Sequence, residues 1–304
     1  MSRLFSFLVA VAMLIATSCS KNDNLDGEPE ITQPENEIWY TASDSSIITP
    51  TFEERIMSNS YSDKGVIVFD SVLTSIGEWA FYGCSTLTSI SIPNGVTKIE
   101  GLAFYRCSAL TNIEIPNSVT SIDFNAFHYC TSLKTIELPD SLTSIGERAF
   151  YACSGLKNIK IPSTVKTLGG RSFYDCNSLE SIEIPNSVTL IRLLSFYHCT
   201  SLKSVKLSNR VTAIFESAFG ECTSLKTIEL PSSITSIQDN VFTSCSSLTS
   251  IYCRPKSAPK LGKDVFAGIN SSAKIYVPME SVDGYKSADG WKEYADMIEG
   301  YNFD

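Results

Sequence analysis

The chain has 304 residues, 43% of them apolar, with 33 acidic residues against 24 basic ones and a formal charge of −9. That is ample material for a core. The acidic balance argues against nucleic acid as a partner, because phosphate contacts need clustered Lys and Arg.

Residues 1–18 carry one early charge, Arg3, then an apolar run over 8–15 and the small-residue end Ala16-Thr17-Ser18 before Cys19. The run is too short to span a bilayer as a permanent helix, which predicts a secretory leader. This end resembles a bacterial lipobox. The resemblance implies that Cys19 becomes the lipid-modified first residue of the mature chain, and that Ser20 behind it, in place of aspartate, favours the outer membrane. An ordinary leader with a cysteine near its cut is the alternative.

Residues 19–37 are rich in Asn, Asp, Glu, Pro and Gly and almost free of apolar side chains. Such a segment cannot offset its ordering entropy, so a flexible tether is expected. Its acids Asp23, Asp26, Glu28 and Glu30 resemble the stretch that sends some lipoproteins to the cell exterior, although a merely solvated linker fits equally. Over 38–70 the runs Ile38-Trp39-Tyr40, Ile47-Ile48 and Val66-Ile67-Val68-Phe69 read as strands of an N-terminal β cap.

Residues 71–278 read as a repeat solenoid, and from Ser75 to Cys253 one 23-residue pattern runs through it eight times. Cysteine falls at 84, 107, 130, 153, 176, 199, 222 and 245, with a phenylalanine three residues before each and a leucine three residues after. Periods of this size mean stacked coils, each covering its neighbour's apolar side. Stacked at about 4.8 Å, the coils would form a rod on the order of 40 Å long. Within a unit, alternation at Ile113-Glu114-Ile115 predicts a short parallel strand with the isoleucines inward and the glutamate outward. Proline at 93, 116, 139, 162, 185 and 231 lacks the N–H a ladder needs and should end that strand. The segment Val-Thr-x-Ile predicts a second strand on another side, and Ala-Phe-x-x-Cys about one helical turn carrying Phe and Cys inward.

The final unit is irregular. Phe266 keeps the Phe column and Ile275-Tyr276-Val277-Pro278 repeats the strand. Over 279–304, Val282, Tyr285, Trp291, Tyr294 and Ile298 recur at helical spacing, predicting a helical C-terminal cap whose early part is weakened by Gly284 and Gly290.

The units resemble the BspA-like leucine-rich repeats of bacterial surface proteins, whose signature reads cleanly as Leu133-Lys134-Thr135-Ile136-Glu137-Leu138-Pro139 followed by Leu142-Thr143-Ser144-Ile145-Gly146-Glu147-Arg148-Ala149-Phe150. The resemblance covers roughly residues 65–280. It implies an α/β-type repeat fold, a right-handed leucine-rich-repeat solenoid with short parallel strands. In function it implies binding rather than chemistry, with a host or neighbouring-cell protein as partner and the strand face as the site. Asn94, Asn117 and Asn186 stand one place early for that wider pattern, so a regular buried asparagine ladder is not expected.

Apart from Cys19, nine cysteines remain, an odd number for a disulfide framework. In-register side chains would leave Cβ atoms about 4.8 Å apart, beyond the usual disulfide range, so buried free thiols are expected. A line of cysteines is also a poor zinc site. The two histidines, His128 and His198, are about 14 Å apart along the axis, too far to share a proton. No catalytic set and no cofactor are expected.

Two outward columns are the candidate sites. The strand-face column runs Glu114, Glu137, Lys160, Glu183, Lys206, Glu229 and Tyr252, and the alternating Glu and Lys neighbours of its later coils should pair across the ladder. The residue after each phenylalanine gives an aromatic stripe, Tyr82, Tyr105, His128, Tyr151, Tyr174 and Tyr197. The stripe is either a glycan-binding or protein-binding row or ring-on-ring packing; as a glycan site it would suit a surface lipoprotein of a nutrient-uptake system. Phe124, Leu190, Leu193, Leu194 and Phe215 place apolar groups where other repeats are polar, either as local packing or as an exposed partner patch.

Overall fold

The computed structural model describes residues 32–52 and 55–303. The expected leader, Cys19 and most of the acidic tether lie outside the described residues. Three β-strands open the cap: β1 (Glu37–Ala42), β2 (Ile56–Tyr61) and β3 (Gly65–Phe69). β1 pairs antiparallel with β3 on one side and with the first repeat strand, Leu87–Ser91, on the other, so the cap continues the solenoid's own sheet. The expected strand at Ile47-Ile48 does not form. Ile48 is buried, but its N–H donates to the Tyr40 hydroxyl at 3.4 Å and its carbonyl accepts from Asn59 Nδ2 at 2.8 Å, so side chains replace the ladder there.

The coils stack as parallel β on two sides. On the first, Ser89, Ile90 and Ser91 stand in register with Asn112, Ile113 and Glu114, and the same one-coil register recurs in separate short sheets as far as Thr227–Leu230 beside Ser250–Cys253. On the second, two-residue strands such as Ser121–Ile122 and Ser144–Ile145 pair one coil apart. Isoleucine points inward on both sides because β-branched side chains suit a pleated, half-buried surface.

The third side is a turn rather than the expected helical turn. In each coil the residues two before and two after the phenylalanine have positive φ, for example Arg148 and Ala152 at 54° each. These reversals aim alternate N–H groups along the solenoid axis. The N–H groups of Arg148, Phe150 and Ala152 donate to Gly170, Ser172 and Tyr174 of the next coil at 3.0, 2.9 and 2.7 Å. A helical turn would direct them back into its own coil and leave the axial direction unbonded. The ladder offsets what non-glycine residues lose in the left-handed region.

The core is a line of stacked rings. From Phe81 to Phe242 neighbouring Phe rings lie 5.1 to 5.7 Å apart and within 5° of parallel. Each end is closed by an edge-on ring, Phe52 of the N-terminal cap on Phe81 at 5.4 Å and Tyr294 of the C-terminal cap on Phe266 at 5.2 Å. Beside the rings the cysteines are free thiols, and the thiol of each from Cys107 to Cys245 donates to the carbonyl of a Phe in the preceding coil at 3.1 to 3.2 Å. Burial pushes the Cys153 thiol up to about 12.

The C-terminal cap holds α1 (Val282–Ser287) and a 3-10 segment, Trp291–Met297, with Gly290 at φ +80° between them. Ile298, expected on the helix, instead starts the strand Ile298–Tyr301, which pairs in parallel with Lys274–Pro278. The open ladder of Lys274–Pro278 would otherwise be left unpaired. The proline break supplies anchors for the cap: the Tyr285 hydroxyl donates to Pro255 O at 2.8 Å and Trp291 Nε1 to Pro259 O at 2.7 Å.

Candidate binding surfaces

Glu114, Glu137, Lys160, Glu183, Lys206 and Glu229 all stand exposed on the strand face, and Tyr252 is half-buried there. Among the described residues one in-register couple of this column forms an ion pair, and Lys160, between Glu137 and Glu183, forms none. Lys206 reaches Glu183 at 2.7 Å, and one column across Lys203 reaches Glu180 at 2.9 Å. Exposed pairs of this kind contribute only about 0–1 kcal/mol each, so they set the face's charge pattern more than its stability. At the N-terminal end Gln33 covers the face, donating to the carbonyls of Glu37 at 2.7 Å and Ser91 at 3.0 Å.

The C-terminal end of this face is aromatic. Tyr252 stacks on Tyr276 at 4.9 Å, Tyr301 meets Tyr252 at 5.2 Å and Tyr276 at 5.6 Å, and Phe303 lies 4.9 Å from Tyr301. Arg254 pairs with Glu229 and holds its guanidinium 4.9 Å over the Phe303 ring. Of this cluster only Tyr252 was singled out from the sequence as a site residue. Tyr276 had a usable signal, because Ile275-Tyr276-Val277 repeats Ile251-Tyr252-Cys253 one coil on. Tyr301 and Phe303 had none, since the helical spacing placed their segment elsewhere.

The stripe is a stack. Tyr82 and Tyr105 lie 4.8 Å apart at 6°, Tyr151 and Tyr174 4.6 Å at 2°, and Tyr174 and Tyr197 5.1 Å at 21°. His128 is tilted, 64° from Tyr105 and 38° from Tyr151. The stack ends at Gly220, where a Cβ would stand 2.9 Å from the Tyr197 ring. Ring faces lie on one another within Tyr82–Tyr105 and within Tyr151–Tyr174–Tyr197, while the exposed Tyr129 beside them stands at 85° to Tyr105 and 70° to Tyr151. Tyr197 donates to the Glu221 carboxylate, which pushes its phenol up to about 12. The His128 ring shares a hydrogen bond with Asn125 Oδ1 at 2.7 Å. Burial, then Arg148 and Arg106, lower its pKa to about 4.

The apolar departures are local packing. Leu190, Leu193, Leu194 and Phe215 are half-buried, and the exposed Phe124 lays its ring over Gly101, where a Cβ would stand 2.3 Å away. Among the described residues no group of three or more His, Cys, Asp or Glu side chains could hold a metal ion, and no helix is long and apolar enough to cross a membrane.

A model of the BspA type leucine rich repeat region matches residues 51–180 and 166–286, well over half the chain, with six copies of the repeat. The chain belongs to the BspA-type leucine-rich-repeat family. A search of curated proteins finds no match. Among solved structures, the BspA-type chain is similar to a leucine-rich-repeat protein of T. pallidum, with 32% identity over 51% of this chain and 73% of that one and a TM-score of 0.49. It is also similar to a leucine-rich cell surface protein from Faecalibacterium prausnitzii, at 26% identity over 73% of this chain and 65% of that one, with a TM-score of 0.45. A third similar structure is a leucine-rich-repeat protein from Bacteroides ovatus, at 21% identity over 84% and 99%, with a TM-score of 0.43. A BspA-type solenoid is a protein-interaction module; the stripe lies on its regular coils, and the strand face runs from them onto the final unit and the C-terminal cap.

Proposed function

We propose that the chain is a surface-displayed binding module that recognises a protein of a host matrix or a neighbouring cell through the strand face. The observation that carries this reading is the aromatic end of that face, where Tyr252, Tyr276, Tyr301, Phe303 and Arg254 assemble from three strands and the tail. Tyr and Arg are the residue types that dominate binding hot spots. Glutamates and lysines lead away from this cluster along the column, as a polar rim does in protein interfaces. The glycan alternative draws less support, because sugar rings stack on open aromatic faces and five of the stripe's rings are stacked on one another.

The test is binding of the purified chain to a panel of host matrix proteins and to whole neighbouring cells. Tyr252→Ala and Tyr301→Ala are each expected to cost about 2 kcal/mol or more on whichever partner binds. Charge reversal at Glu137 and Glu183 is expected to weaken binding and make the remainder less salt-sensitive, because exposed charges act within a Debye length of about 8–10 Å. Affinity that survives all four substitutions in folded protein rejects the strand face.

We also propose that Cys19, which lies outside the described residues, carries a lipid anchor in the outer membrane with the solenoid facing outward. The leader and lipobox-like end motivate this. Metabolic palmitate labelling should be lost in Cys19→Ala, and equal labelling of both chains would reject the anchor. Protease shaving of intact cells reads the side.

A further inference from the structure

One groove on the turn side of the early coils is lined by arginines, in a chain whose formal charge is −9. Arg106 stands two residues after its phenylalanine, whereas Arg148 and Arg171 stand two before theirs. They belong to different columns, and coil geometry alone brings them to one groove of about 430 Å³ along the stacked tyrosines. At Arg106 and Tyr129 this groove runs on into a second of about 540 Å³ that reaches Tyr82.

The charge there is not cancelled from within. Glu147 lies between Arg148 and Arg171, at 3.0 and 3.3 Å, so one carboxylate serves two guanidiniums that keep most of their donors. Arg106 has no acidic partner among the described residues and rests 5.4 and 5.6 Å from the Tyr105 and Tyr129 rings. Protonation of His128, which lines the groove, is opposed first by burial and then by Arg148 and Arg106. Past Tyr174 the sign reverses, with Asp175 held by His198 at 2.6 Å and Glu221 by Tyr197. The positive stretch therefore has a definite end.

Ring stacking decides what such a groove can take. Tyrosines packed face to face bury their electron-rich faces and turn positively polarised edges and hydroxyl groups outward. Edges, hydroxyls and guanidinium forks together match carboxylates, which arginine binds bidentately. We propose that this groove binds an extended, Asp- and Glu-rich polypeptide segment of a partner, with its carboxylates on Arg106, Arg148 and Arg171. The site is separate from the strand face and stands or falls independently of it.

The test is fluorescence anisotropy of the full chain with a short, labelled Glu/Asp-rich peptide, against the same peptide with every acid replaced by its amide. The acidic peptide should bind, the amide peptide should not, and binding should collapse in about 1 M salt, where the Debye length is about 3 Å. Arg106→Gln and Arg148→Gln should each weaken binding about tenfold or more. Lys166→Gln, an exposed charge outside the groove, should leave it unchanged. Circular dichroism of each variant separates lost binding from lost folding. Equal binding of the two peptides, or arginine variants that bind like wild type, overturns the proposal. Binding of a uronate oligosaccharide with none of the acidic peptide overturns the choice of ligand. Neither outcome bears on the strand face, whose variants are read with other probes.

Discussion

Phe150→Ala is expected to lower the unfolding free energy by about 3–5 kcal/mol, the cost of truncating a fully buried aromatic. The ring is wholly buried and stacked on Phe127 at 5.3 Å and Phe173 at 5.4 Å, so its loss opens a gap in a continuous column. The gap cannot collapse easily, because coil spacing on all three sides is held by backbone hydrogen bonds. A solenoid is stabilised by nearest-neighbour interfaces, and this substitution weakens two at once in the middle of the array. Urea titration followed by circular dichroism should show a lower midpoint and a broader transition, as the halves uncouple. A loss below about 1 kcal/mol would mean that the ring column is not what ties the coils together.

Gly169→Val is the second large effect, expected at about 1–3 kcal/mol or more. A Cβ at Gly169 would stand 2.4 Å from Glu147 N and Gly146 C and 2.5 Å from Gly146 O, all of them backbone atoms. No side-chain rotamer can relieve contacts to a main chain that is itself part of the ladder. The coils must part, which strains the hydrogen bond from Gly169 N–H to Ile145 O at 2.9 Å. Gly77 occupies the same position of the repeat in the first coil, and a Cβ there would meet nothing within 4 Å. Gly77→Ala should therefore be close to neutral. Equal losses of melting temperature in the two variants would sink the argument.

The period was enough to assign the buried Phe, Cys and Leu columns, the parallel in-register pairing and the outward position of Glu183 and Lys206. The reason is physical: when one coil is a translated copy of the last, equal residues must stack on equal residues. The same logic made the tyrosine stripe legible as a column, though not its state. Whether those rings offer faces or edges depends on side-chain angles that the string does not carry.

Four things needed the tertiary structure. Paired left-handed residues in the turn are invisible in composition, since Arg148, Asp175 and His198 occupy positions where glycine might be sought; the axial hydrogen bonds that stabilise them form only between stacked coils. Ile298 obeys a helical spacing yet lies in a strand, because the open edge of Lys274–Pro278 outweighs a short amphipathic pattern interrupted by Gly290. For the same reason Tyr301 and Phe303 reach Tyr252, which no spacing foretold. Finally, Arg106, Arg148 and Arg171 share a groove although they sit at different places in the repeat. A repeat determines by itself what lies above and below each residue; what lies beside it, across columns or against a non-repeating cap, is decided only when the coils close.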